Sequence, residues 1–256
     1  MNKLTKVGCS ALCGSLAAIS AANAGELTVT GGADMTYSSL GGKVTGNPIG
    51  MGSNFNLKGS GELDNGWTVD VTTAFGNAGA FSAANISLGM GGLGKLNFNQ
   101  GNSGNGIAAF DDKMPTAWEE SWGAGLSTGV RLPLGSGASQ NVMYTTPTVL
   151  GTTLTFTLAP AYGKADTADK TVSGQDGSTD SSYDATININ PSMGTEILSG
   201  LNLFAGASTI ETLQNNNNRD AYHAVGGITY DLGPVSLGWQ ASGVSTGVEG
   251  TDGYNA

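Results

Sequence analysis

Residues 26–38 read ELTVTGGADMTYS. Taken two at a time, Leu27, Val29, Gly31, Ala33, Met35 and Tyr37 fall on one side. Glu26, Thr28, Thr30, Gly32, Asp34, Thr36 and Ser38 fall on the other. Successive side chains of an extended chain point to opposite faces, so this alternation marks a long strand with one face turned away from water. The apolar side carries no charge, and no hydrogen-bonding group before the Tyr37 hydroxyl.

What precedes the strand sets the compartment. Lys3 and Lys6 make a basic start, residues 7–19 are apolar and small, and Ala22-Asn23-Ala24 is a small-x-small cleavage site. Residues 1–24 therefore read as a secretory signal cut between Ala24 and Gly25, with residues 25–256 as one mature domain. N-terminal sequencing of the exported protein is expected to begin GELTV; a retained Met1 would reject both cleavage and export. Cys9 and Cys13 lie in the removed segment without a lipoprotein context, so the mature chain has neither disulfide nor thiolate chemistry. Two of the ten basic residues leave with the signal, and eight then face twenty acidic ones, a net charge of −12. That balance argues against nucleic acid as a partner, which calls for a basic surface.

The alternation recurs. Phe55, Leu57, Gly59, Gly61 and Leu63 oppose Asn54, Asn56, Lys58, Ser60 and Glu62. After the tight-turn signal Asp64-Asn65-Gly66, Trp67, Val69, Val71, Thr73 and Phe75 oppose Thr68, Asp70, Thr72 and Ala74. Ile86, Leu88 and Met90 oppose Asn85, Ser87 and Gly89, and Leu96 and Phe98 oppose Lys95, Asn97 and Asn99. Further strands read over 141–146, 152–162, 182–190, 200–211, 220–230 and 235–245. No stretch after Ala24 approaches the ~20 apolar residues of a membrane helix. A secreted chain of long, one-sidedly apolar strands points to an all-β fold, an antiparallel transmembrane β-barrel, because only a closed sheet satisfies its backbone in lipid.

A soluble sandwich segregates its faces in the same way, so the connections carry the choice. Long ones fall at 40–52, 76–82, 101–140, 163–181 and 212–219; short ones fall at 64–66, 91–93, 147–151, 191–199 and 231–234. Strict alternation of long and short is the barrel pattern. It holds only if residues 125–134 stay unpaired, in spite of the alternating Val130, Leu132 and Leu134, so they belong to one very long third loop. Tyr37, Phe55, Phe75, Tyr162, Tyr183 and Tyr222 then sort to the long-loop ends of strands, and Trp67 and Tyr230 to the short-turn ends, as two interfacial girdles would. The count is about eleven strands, with Ala256 in a loop. Bacterial barrels close with an even number, so further C-terminal strands are expected beyond the sequence in hand.

Four segments together carry a resemblance. They are GELTVTGGADMTYSS after the signal, GSGELDNGWTVDV at 59–71, AFDDKMPTAWEESWG at 109–123, and NVMYTTPTVLGTTLTFTLAP at 141–160. The chain resembles the Gram-negative general porin family, in particular its alphaproteobacterial type, over essentially all of residues 25–245. The resemblance implies a 16-stranded barrel in the cell outer membrane, reached through the periplasm. It also implies a homotrimer surrounded by outer-membrane lipid, a third loop folded into the lumen, and passive diffusion of ions and small hydrophilic solutes. No cofactor is implied.

The third loop is the expected selectivity element. Thr116-Ala117-Trp118-Glu119 reads as a capping box, so a short helix is expected over 117–122. Asp111, Asp112, Glu119 and Glu120, with Lys113 as the near counter-charge, form an acidic constriction that favours cations if it lines a narrow pore. Asp112 and Glu119 fit equally well as local stabilisers of turns and of the helix N-terminus. Lys58 and Lys95 point to the polar side as an opposing pore wall, with Asp34, Glu62 and Asp70 diluting its charge; ordinary solvated charges give the same pattern. His223 is the one histidine, so no His/Cys metal site can form, and a barrel hydrolase would need a serine beside His223 on a neighbouring strand. The acidic loop with Asp166, Asp169, Asp176 and Asp180 lacks calcium-loop spacing. The sequence reads as a non-enzymatic, mildly cation-preferring channel; the alternative is a structural or adhesive outer-membrane or secreted β-protein without a channel.

Overall fold

The structure is a computed structural model that describes residues 25–37, 49–101, 104–111, 113–115, 133, 135–137, 139–162, 181–191, 198–211, 219–246 and 253–255. The chain forms two compact units, Met1–Met90 and Gly91–Ala256. Among the described residues the elements are antiparallel strands and three short 3-10 turns. Ala24 lies outside the described residues.

In the first unit β1 (Glu26–Tyr37), β2 (Ile49–Glu62), β3 (Thr68–Phe75) and β4 (Phe81–Gly89) pair in chain order. The register places Val29 opposite Leu57, Met35 opposite Met51 and Tyr37 opposite Ile49, so the apolar sides of adjacent strands coincide. That face is open: Val29 is 64 % and Met51 77 % exposed. Phe55 and Phe75 stack across it with ring centroids 4.6 Å apart. The β2–β3 turn is closed by the Gly66 N–H donating to the Leu63 carbonyl at 2.8 Å, with Gly66 left-handed at φ +78. Asn65 keeps a negative φ and uses its side chain instead, Oδ1 accepting from the Trp67 N–H at 3.0 Å.

The second unit continues with β5 (Lys95–Gln100), β6 (Asn141–Thr145), β7 (Thr152–Ala159), β8 (Ser182–Ile189), β9 (Leu201–Ile210), β10 (Ala221–Asp231), β11 (Ser236–Ser245) and β12 (Gly253–Asn255), again in chain order. β5 pairs directly with β6, Lys95 opposite Thr145 and Asn99 opposite Asn141, so no strand intervenes. This bears out the long third loop; within 125–134, Pro133 is described, and it is buried outside any strand. One face of β7–β11 carries Leu154, Phe156, Leu158, Tyr183, Ile228 and Trp239, all exposed. The other carries Thr157, Asp184, Ser208 and His223 in one continuous row.

Three expectations need correction. β2 starts at Ile49, inside the stretch 40–52 read as loop, because Gly50 and Gly52 hide the alternation that Ile49 and Met51 continue. β7 stops at Ala159, before Pro160, which has no N–H for the ladder. Tyr162 therefore lies past the strand and outside the exposed aromatic row; burial first, and the nearby Asp184 carboxylate second, push its phenol above the usual range. Residues 253–255, expected as loop, form the short β12 against β11, with Gly253 opposite Val244. The eleven longer strands correspond to the eleven read from the sequence.

Candidate functional site: the third loop and the wall it docks on

The third loop leaves β5 and turns at once into η3, a 3-10 turn over Gly106–Phe110. η3 packs on the polar face of β7–β10. Ile107 and Phe110 meet Phe204 of β9 and Val225 of β10 in a buried apolar cluster, with Phe110 and Phe204 at 4.8 Å between ring centroids. Burying such side chains contributes ~1.5–3 kcal/mol each, enough to hold a loop against a face that is otherwise polar.

Glycines on that face make the track. A Cβ at Gly206 would lie 3.2 Å from Ile107 Cγ1, and one at Gly238 would lie 2.6 Å from Pro115 Cδ and 3.0 Å from Met114 Sδ. The loop thus crosses from β9 at Gly206 to β11 at Gly238 as it runs from Ile107 to Pro115. Met114 joins the edge of the apolar cluster.

Asp184, near the start of β8 and 4 % exposed, holds both limbs of the loop. The Ile107 N–H donates to its Oδ2 at 3.1 Å, the Ser136 N–H to both oxygens at 3.0 Å, and the Ser136 hydroxyl to Oδ1 at 3.0 Å. Ser136 Oγ also lies 2.8 Å from Ser182 Oγ. The Gly135 N–H donates to His223 Nδ1 at 3.2 Å. Gly106 and Gly135 are left-handed, with φ +57 and +47, and their α-carbons approach Asp184 so closely that neither has room for a side chain. Further along, the Asn141 amide donates to the Ser139 carbonyl at 2.9 Å and the Asn99 amide to Asn141 Oδ1 at 2.8 Å, which joins the returning limb to β5 and β6.

The residues singled out in the sequence divide. Asp111 caps η3, its N–H donating to the Ala108 carbonyl at 3.3 Å, and Lys113 follows, half-buried. Asp112, Glu119 and Glu120 lie outside the described residues, as do the helix expected over 117–122 and the acidic loop with Asp166, Asp169, Asp176 and Asp180. In the first unit Lys58 and Asp70 share the polar face and form an ion pair at 3.4 Å, and Asp34 stands opposite Gly52. Lys58 is therefore a locally neutralised cation. Lys95 is exposed on the polar face of the second unit, opposite Thr145.

The register also puts Ser208 between Asp184 and His223. The serine a hydrolase would need is thus present beside the histidine, but in the wrong relation to it. In a nucleophilic triad the histidine bridges serine and carboxylate; here the serine stands in the middle. Among the described residues Ser208 Oγ has no hydrogen-bond partner, His223 Nδ1 is occupied by the Gly135 N–H, and all three side chains are buried. Asp184 and His223 of this row hold the loop.

Sequence reasoning passed over Asp184, Ser136, Ser182, Gly106 and Gly135. One signal pointed to Asp184: it is a carboxylate within a strand whose neighbours β7 and β9 carry no basic residue. Such a charge needs donors from elsewhere. The glycines at 206 and 238 on the polar face were a second signal.

A comparison with curated proteins found no match. The family model described as Gram-negative porin matches residues 8–256. With long antiparallel strands, one open apolar face, and the loop after the fifth strand laid on the polar face of its own sheet, the chain belongs to the Gram-negative porin family.

Proposed function

We propose that the protein is an outer-membrane porin that assembles as a homotrimer and passes ions and small hydrophilic solutes by diffusion, with a mild preference for cations. The observation that carries this reading is the attachment of the third loop to the polar face of β7–β10 through Asp184 and the Ile107–Phe110–Phe204 cluster. A loop held there narrows a water-filled channel, and a wall charge in the narrow section acts on every passing ion. Asp111, Asp112, Glu119 and Glu120 against Lys113 give that loop its negative balance. Lys95 tempers it within the same unit; on the polar face of the first unit Asp70 offsets the charge of Lys58, and Asp34 adds a negative one.

Planar-bilayer recording of the folded protein tests both levels. Stepwise conductance is expected, and a silent bilayer with folded protein would instead favour a structural or adhesive β-protein. Changing Asp111, Asp112, Glu119 and Glu120 together to Asn or Gln is expected to move the reversal potential towards anions in a low-salt gradient. The shift should shrink in strong salt, where the screening length falls to ~3 Å. A quadruple variant with the parent's reversal potential at low salt would show that these carboxylates do not line the constriction.

A further inference from the structure

We propose that Asp184 is the positioning residue that sets the bore of the channel; this rests on the pore reading above. One carboxylate gathers donors from the outgoing limb of the third loop, at Ile107, and from the returning limb, at Ser136. It therefore closes the neck of the loop, joining Ile107 and Ser136 at one point on β8. Apolar packing alone does not do this, because Ile107 and Phe110 both belong to the outgoing limb.

The chemistry favours a carboxylate. Two oxygens accept from two backbone N–H groups and a hydroxyl, and the shared charge strengthens each bond. An asparagine of the same shape has one acceptor oxygen, and its NH2 would face the Ile107 or Ser136 N–H as donor against donor. With its oxygen at the Oδ2 position an asparagine keeps the Ile107 and Ser136 N–H bonds but without the charge that strengthens them, and with its NH2 against the Ser136 N–H, so the wall holds the loop less firmly. Gly106 and Gly135 belong to the same device, since their left-handed backbones bring the limbs within reach of the carboxylate. His223 backs the returning limb by accepting from the Gly135 N–H.

The experiment compares the parent with Asp184→Asn and Gly135→Ala, each folded and reconstituted. Single-channel conductance is read in bilayers, and the size cut-off for neutral sugars by liposome swelling. Both variants are expected to show higher conductance per channel, noisier open states and a cut-off shifted to larger sugars. A purely structural role would lower the number of active channels and leave the conductance of each one unchanged. Should Asp184→Asn fail to fold, Gly135→Ala decides the matter, because it lies in the loop and leaves every strand pairing intact. A conducting parent whose variants keep its unit conductance and cut-off overturns the role of Asp184 and leaves the pore reading standing. A silent parent overturns the pore reading itself.

Discussion

Val71→Arg is expected to destabilise the folded protein by ~2–4 kcal/mol, the cost of an arginine on the lipid face near mid-membrane. Val71 lies midway along β3, is 44 % exposed on the apolar face, and stands between Gly59 and Ile86. Its neighbour Asp70 points to the other face, between Ser60 and Ser87, and pairs with Lys58 at 3.4 Å. Both members of that pair are partly exposed, so Asp70→Asn is expected to cost at most about 1 kcal/mol. Reversible urea unfolding in lipid vesicles measures both. Equal costs for the two substitutions would contradict the assignment of faces in the first unit.

A second large effect is expected at Phe204. Phe204→Ala removes the ring on which Phe110 rests, from a site 3 % exposed, and core Phe→Ala changes cost ~3–5 kcal/mol. The ring also fills the space above Gly227, where no β-carbon fits, so the neighbouring strand has no side chain to move into the gap. Phe156 makes the control, since it is 49 % exposed on the opposite face of the same sheet. Phe156→Ala is expected to cost clearly less, because its ring leaves lipid and not a packed cluster. The same urea titration separates them. A Phe204→Ala cost no larger than that of Phe156→Ala would mean that η3 does not bear on the wall as described.

The strands and their faces were legible because alternation is a local property. Each residue's side of the sheet follows from its parity along the chain, and ELTVTGGADMTYS already shows which side is apolar. Antiparallel pairing in chain order followed as well, since short turns such as Asp64–Gly66 can connect only neighbouring strands. The boundaries that moved, at Ile49 and Ala159, lie where glycine blurs the period or proline ends the ladder. The third loop was placed correctly between β5 and β6 from connection lengths alone.

Where that loop goes belongs to tertiary structure. Ile107, Ser136, Asp184 and His223 are far apart in the sequence, and no periodicity links them; β8, β9 and β10 must first align before Asp184, Ser208 and His223 form a row. Only then does a lone carboxylate become the acceptor for two loop limbs, and only then do glycines on the polar face become a track for Ile107 and Pro115. The loop's acidity, at Asp111, Asp112, Glu119 and Glu120, is written in the sequence. Its anchorage is not, because a hydrogen bond between distant segments depends on the register of the strands that bring them together, and local pattern determines each strand but not what the sheet then holds.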